Sequence, residues 1–228
     1  MKTKYNFLLF DLDNTLLDFT RSEDVALLHT FSTFGIEFNQ TTLELYKTIN
    51  ERYWKEFEQG NLSISQVQEG RFSSFFDELD MNRSGRDGNA EYQRQLVDNV
   101  FTIDNAYCTL SCLSQRYDIY LVTNGVASTQ RKRVVKAGFM RFFKHLFISE
   151  EIGVSKPSPS FFAAVMDYIH DYCPEKYLII GDSLSSDISG GMNCGIDTCW
   201  FNPNNRPTST DIRPSYVISD LLSLCVLL

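Results

Sequence analysis

No cysteine of this chain stands in a C-x-x-C pair, although there are six, at positions 108, 112, 173, 194, 199 and 225. The three histidines, His29, His145 and His170, are scattered, so a zinc site of thiolates and imidazoles is not expected. Long apolar runs are missing too. No stretch reaches the length that spans a bilayer, and no basic segment followed by an apolar one opens the chain. These absences point to a soluble, cytoplasmic protein with reduced thiols and no membrane partner. Positive charge is scarce: 21 Lys and Arg face 29 Asp and Glu, a net charge of -8. Nucleic acid needs clustered cations, so no such partner is expected. The one dense basic cluster, Arg131-Lys132-Arg133 with Lys136, reads as the solvated face of a helix. Repeats and low-complexity segments are absent, and the residues carry no sign of oligomeric state.

Apolar residues make up 43% of the 228, enough to bury a real core in one large domain or two modest ones. The run from Tyr5 to Phe10 is almost uninterrupted, as in a strand buried on both faces of a parallel sheet. Helical periodicity then takes over. Thr20-x-x-Glu23, Thr41-x-x-Glu44 and Ser63-x-x-Gln66 have capping-box spacing. Apolar stripes follow them: Leu27, Phe31, Phe34; Leu45, Ile49, Tyr53, Phe57; and Phe72, Phe75, Phe76, Leu79. A polar loop is expected over Asn82–Asn89, then a helix carrying Tyr92, Leu96 and Val100.

From about residue 103 strands and helices alternate. Strands are expected at 119–122, 146–148, 177–180 and 198–201, with an edge strand at 216–218. Helices are expected at 128–137, 158–170 and 185–193, with a loop over 202–214. Repeated strand–helix units imply a parallel sheet covered on both faces, an α/β class.

Several strands end in reactive polar residues. The first runs into Asp11-Leu12-Asp13, whose carboxylates, two apart on extended chain, can face one pocket. The carboxyl end of a central strand is where open α/β sheets bind ligands. The same residues would also serve a polar turn. Thr123-Asn124-Gly125 could bond anionic oxygens, or be an ordinary turn. Lys156, beside Pro157, could reach such a site or lie on a surface loop. Asp182, with Asp187 five residues on, suits a hard divalent cation, though Asp187 would also suit the first turn of a helix.

Taken together, Asp11-Leu12-Asp13-Asn14-Thr15, Thr123-Asn124, Lys156-Pro157 and Gly181-Asp182-Ser183-x-x-x-Asp187 resemble the four motifs of the haloacid dehalogenase-like (HAD) hydrolase superfamily, in order. The flanking residues around Phe10–Phe19 and the segment Gly190-Gly191-x-x-x-Gly195-x-Asp197-Thr198-Cys199-Trp200-x-Asn202-Pro203 resemble its pyrimidine 5′-nucleotidase branch. The resemblance implies a Rossmann-like parallel sheet of order 5-4-1-2-3, formed by residues 1–16 and 103–228. An all-helical C1-type cap over 17–102 would close over the site. It implies a Mg2+-dependent phosphatase in which Asp11 is the nucleophile and Asp13 the acid and base. Thr123, Asn124 and Lys156 would hold phosphate. Asp11, Asp13 (through its carbonyl), Asp182 and Asp187 would hold the metal. The implied substrate is a small phosphomonoester, a pyrimidine nucleoside monophosphate, with Phe19, Asn50, Trp54 and Arg71 as candidate base contacts. Trp54 could equally be cap core. A sugar-phosphate or phosphoglycolate-type phosphatase, a phosphomutase or a non-catalytic phospho-ligand binder are the other readings. Asp13 argues against a dehalogenase, since a departing halide needs no acid.

Overall fold

The apolar run after Tyr5 forms β1 (Phe7–Phe10), in which Leu8, Leu9 and Phe10 are wholly buried. Such a strand needs a neighbour on each side, and it has them. With β2 (Asp118–Thr123), β3 (Phe143–Ile148), β4 (Tyr177–Gly181), β5 (Asp197–Phe201) and β6 (Tyr216–Ile218) it makes one sheet of order β3-β2-β1-β4-β5-β6. Every pairing is parallel. This is the 5-4-1-2-3 order with β6 added outside β5. The chain winds outward from β1 to β3, then from β4 to β6, so its direction switches beside β1. That switch point, at the carboxyl ends, is where a doubly wound sheet opens a crevice. This computed structural model describes residues 4–208 and 211–228. It comprises two units, Met1–Phe19 with Phe101–Leu228, and Thr20–Val100.

The second unit is helical: α1 (Phe19–Phe34, whose first residue belongs to the other unit), α2 (Gln40–Glu58), α3 (Ile64–Glu78) and α4 (Gly85–Asp98). Its core is aromatic. Phe31 stacks on Phe75 at 4.9 Å between centroids, and Tyr46 packs on Phe72 at 5.2 Å. Tyr46 is wholly buried, one position beside the expected stripe, whose Leu45 is only partly covered. The Ser63–Gln66 capping box forms. The expected Thr41–Glu44 box does not. Asn39 caps α2 instead, accepting from the N–H of Thr42, whose hydroxyl accepts in return. Asn is as good a cap as Thr, and it comes earlier in the chain. Thr20 lies within α1 rather than ahead of it.

The expected loop over 82–89 is shorter than its composition suggests. Ser84 caps α4, and Gly85 and Gly88 are helical. Their glycines serve close packing. A Cβ on Gly85 would stand 2.2 Å from Ser73 Oγ and 2.4 Å from the Glu69 carbonyl of α3. Alanine there gains about 1 kcal/mol of helix propensity, but overpacking against backbone costs about 1–3 kcal/mol. Gly85→Ala is therefore expected to lower the urea midpoint; a raised midpoint would refute close approach as the reason for the glycine.

Around the sheet lie α5 (Ala106–Leu113), α6 (Ala127–Lys136), α7 (Ser149–Ile152), α8 (Pro159–Ile169), α9 (Ser189–Asn193) and α10 (Ser223–Leu227). The short α5 has no counterpart among the expected helices. It has no side-chain cap, so its start leaves no local signal. One buried layer joins Leu9 and Ile179 of the sheet to Phe161, Phe162 and Val165 of α8. The expected loop over 202–214 includes residues 209 and 210, which lie outside the described residues. All six cysteines are free. Among the described residues no helix is long and apolar enough to cross a membrane.

Candidate active site

Phe10 pairs with Leu121 of β2 and Ile180 of β4. The next residues, Asp11, Val122 and Gly181, therefore share one level on three adjacent strands. Asp11 leaves the sheet still bonded to it, its N–H donating to the Ile180 carbonyl at 2.9 Å. Its side chain is buried and both oxygens are held. Lys156 Nζ donates to Oδ1 at 2.7 Å, and Thr15 Oγ1 to Oδ2 at 3.1 Å.

Lys156 is 1% exposed. Its ammonium donates to Asp11, to the Val122 carbonyl at 2.9 Å and to Asp187 Oδ1 at 2.7 Å, which uses all three hydrogens. Asn124 places the lysine. Its Oδ1 accepts from the Lys156 N–H at 3.0 Å, and its Nδ2 donates to the Lys156 carbonyl at 2.9 Å. The Asn124 amide thus bonds both main-chain groups of Lys156 and fixes the backbone that carries this cation. Thr123 is buried at the end of β2, and its Oγ1 accepts from Gln130 Nε2 at 2.9 Å and from the Gly125 N–H at 3.2 Å.

Asp182 follows β4. Its carbonyl accepts from Trp200 Nε1 at 2.9 Å and from Arg206 at 2.8 Å, which ties the segment after β5 to it. A π-type turn (Leu184–Ile188) then brings Asp187 back, fully buried, with the Ser183 N–H donating to its Oδ2 at 3.2 Å. Such turns recur at functional sites. A Cβ on Gly181 would meet the Asp187 carboxylate at 2.2 Å, so this strand must end in glycine.

Carboxylate oxygens of Asp11, Asp182 and Asp187 lie within 4.8 Å of one another. Three acids crowd together, and only Asp11 and Asp187 bond the buried ammonium. The crowding shows in the ionisation of Asp11 and Asp182. Burial, then the neighbouring Asp187, push Asp182 up to about 7, against the pull of Arg206 and Lys156. Burial also raises Asp11, with Lys156 opposing and the two other aspartates adding to the rise. Lys156 is itself raised, because Asp11 and Asp187 outweigh its desolvation. Hard oxygen donors with surplus negative charge fit a divalent cation of the magnesium kind.

The Asp13 carboxylate is not among the three. Its Oδ1 accepts from Arg133 at 2.6 Å and its Oδ2 from Gln130 Nε2 at 2.7 Å. This corrects the reading of the basic cluster as a solvated face. Arg131 does lie at the surface, paired with Glu151 at 2.6 Å. Arg133 instead is 1% exposed, with its guanidinium over the Phe19 ring at 5.4 Å. The available signal was spacing: Gln130 and Arg133 are three apart, with Val134 on the same buried side of α6.

The remaining candidates lie in the helical unit. Arg71 is buried there, donating to Asn50 Oδ1 at 2.7 Å and Asn89 Oδ1 at 3.2 Å, with its guanidinium over the Tyr92 ring at 4.8 Å. The Trp54 ring meets Phe57 edge-on at 5.5 Å. Asn50 and Arg71 are thus brought together, and Trp54 packs with its own helix.

A profile of the haloacid dehalogenase-like hydrolase family matches residues 8–201, from the first strand through the fifth. The chain belongs to this family. The HAD-hydrolase YfnB of Bacillus subtilis is 40% identical over 221 residues, which cover 97% of this chain and 94% of YfnB. A magnesium-bound crystal structure of YfnB matches with a TM-score of 0.91 over 99% of each chain. The pyrimidine 5′-nucleotidase PynA of Streptococcus pneumoniae is 37% identical over 94% of this chain and 91% of its own. Pyrimidine 5′-nucleotidase YjjG of Escherichia coli is 29% identical over 97% and 96%. This HAD hydrolase therefore resembles the pyrimidine 5′-nucleotidase branch, as its strand-end motifs implied, and keeps company with phosphoric monoester hydrolases.

Proposed function

We propose that this hydrolase is a magnesium-dependent phosphatase working through an aspartyl-phosphate on Asp11, and that its substrates are nucleoside 5′-monophosphates, pyrimidine ones foremost. The observation that carries the reading is Asp11 itself. It is a buried carboxylate at a strand end, oriented by Lys156 and Thr15, with a second aspartate two residues on. An Asp11 oxygen attacks phosphorus, and the bond to the ribose oxygen breaks. Asp13 gives its proton to that departing oxygen. Water then attacks the phosphorus of the aspartyl-phosphate and yields a proton to Asp13, releasing phosphate and restoring Asp11. Thr123 gives its hydroxyl hydrogen to a phosphoryl oxygen. Lys156 offsets the phosphoryl charge and exchanges its bond to Asp11 for one to a phosphoryl oxygen, and Asn124 holds Lys156. Asp11, Asp182, Asp187 and the Asp13 carbonyl would hold the magnesium, whose positive charge offsets repulsion between carboxylate and phosphate.

The substrate class rests on the two relatives named as pyrimidine 5′-nucleotidases and on the branch-like segments. The net charge of -8 supports a small phosphomonoester over a nucleic acid. We read residues 17–102 as a C1-type cap, and assign base choice to Phe19 and, in the helical unit, to Asn50, Trp54 and Arg71.

Phosphate release across nucleoside monophosphates and sugar phosphates tests this. Pyrimidine 5′-monophosphates are expected to react fastest. The cation is worth several kcal/mol, so EDTA is expected to slow release by at least about 100-fold, reversed by Mg2+. Hydrolysis of sugar phosphates alone would sink the substrate class, and full activity in EDTA would sink the metal.

A further inference from the structure

We propose that Arg133 and Gln130 are positioning residues for Asp13, holding its carboxylate in the orientation from which it passes a proton to the departing oxygen. The inference rests on the reading of Asp13 as the acid of a phosphatase.

Arg133 is a buried charge that stability alone does not explain. Removing a guanidinium from water costs several kcal/mol, and one ion pair rarely returns more than it costs. The carboxylate it meets is Asp13, at 2.6 Å. Among the described residues its Nε and one terminal nitrogen have no hydrogen-bond partner. Leaving two donors unsatisfied while one terminal nitrogen serves Asp13 and Gln130 fits a residue kept for those contacts.

Gln130 completes the grip. Arg133 donates to its Oε1 at 2.8 Å, which decides how the amide is turned. Its Nε2 must then face the other way, where it donates to Asp13 Oδ2 at 2.7 Å and to Thr123 Oγ1 at 2.9 Å. Each Asp13 oxygen therefore has its own anchor, and the plane of the carboxylate is set. Each oxygen also keeps a lone-pair site for a proton. The same glutamine joins Asp13 to the hydroxyl proposed to hold phosphate, so acid and phosphoryl group share one frame. Phe19 covers the guanidinium face. All these groups lie in the sheet-bearing unit.

Leaving-group chemistry separates positioning from general support of the fold. A ribose oxygen cannot depart as a free alkoxide and needs the Asp13 proton. The p-nitrophenolate ion departs without one. The kcat/KM value reports steps through formation of the aspartyl-phosphate, so it includes leaving-group departure and excludes the later attack of water. A misplacement of about 1 Å costs on the order of 100-fold in rate. Arg133→Met and Gln130→Ala are therefore expected to lower kcat/KM by about 100-fold on a pyrimidine nucleoside 5′-monophosphate, and by no more than about a tenth of that factor on p-nitrophenyl phosphate. Arg133→Lys is expected to recover part of the loss. Adding Arg133→Met to Asp13→Asn is expected to cost nothing further, because both act on one step.

Equal losses on the two substrates, or additive losses in the double variant, would overturn the proposal. Should Arg133→Met fail to fold, Gln130→Ala carries the same comparison. If Asp13→Asn fails to discriminate between the substrates, the acid assignment falls and takes this inference with it. If Asp13→Asn discriminates and the Arg133 and Gln130 variants do not, only the positioning role is lost.

Discussion

Asparagine in place of Asp11 is expected to slow phosphate release by on the order of 10^4- to 10^6-fold, the scale on which hydrolases lose activity without a member of the nucleophilic machinery. An amide oxygen cannot form the acyl-phosphate, and no other carboxylate holds that place at the end of β1. The fold should survive the change. Lys156 keeps Asp187 and the Val122 carbonyl as partners, so its charge stays compensated. Burial already disfavours the ionised form of Asp11, and a neutral isostere relieves the crowding with Asp182 and Asp187. In EDTA the variant is expected to melt no lower than the parent protein. Initial rates on the best nucleotide, with melting curves alongside, check both halves. A fully active variant would remove Asp11 as nucleophile, and a large drop in melting temperature would assign the loss to unfolding.

Lys156→Met is expected to give the largest loss of stability. Breaking a buried ion pair costs about 3–5 kcal/mol, because the partner is left uncompensated. Here two buried carboxylates, Asp11 and Asp187, lose the same cation. The loss should depend on pH, and its sign follows from the direction of the pKa shifts. Asp11 and Asp182 are raised in the folded protein, Asp182 to about 7, against about 4 in an unfolded chain. Between those values the folded chain holds protons that the unfolded chain has released, so stability falls as pH rises. Removing Lys156 takes away the charge that restrains Asp11, and the fall should steepen. Urea unfolding in EDTA is therefore expected to show a small difference between variant and parent near pH 5 and a large one near pH 8. Added Mg2+, which binds the folded cluster, should narrow it. A difference that stays constant across this range would refute unpaired carboxylates as its cause.

Much of the sheet was legible because strands are local. An apolar run between turn residues marks a buried strand whatever it later pairs with, and β1, β2, β4 and β5 lie within a residue or two of their expected positions. β3 begins earlier than expected, since Lys144 and His145 at an edge interrupt the apolar signal. In the helical unit the period was right and some details were not. Composition marked 82–89 as a loop, because glycine reads as a breaker until a second helix is found pressing against it. Tyr46 is buried where the stripe points to Leu45, because helical spacing alone leaves the rotation of a helix loose by one position.

The candidate site divides along the same line. That Asp11, Asp13, Thr123 and Asp182 stand at or just past strand ends is a property of short stretches, and the sequence alone determined it. Which cation meets which carboxylate is another matter. Lys156 reaches Asp11 across 145 positions of chain, and Arg133 reaches Asp13 across 120. No local pattern encodes pairings of that range. They exist because β1, β2 and β4 lie side by side and α6 turns one face inward, so Arg133 leaves the water that Arg131 keeps. Tertiary packing alone could make that distinction between two arginines two residues apart, because burial depends on what covers a helix face and not on the residues within it.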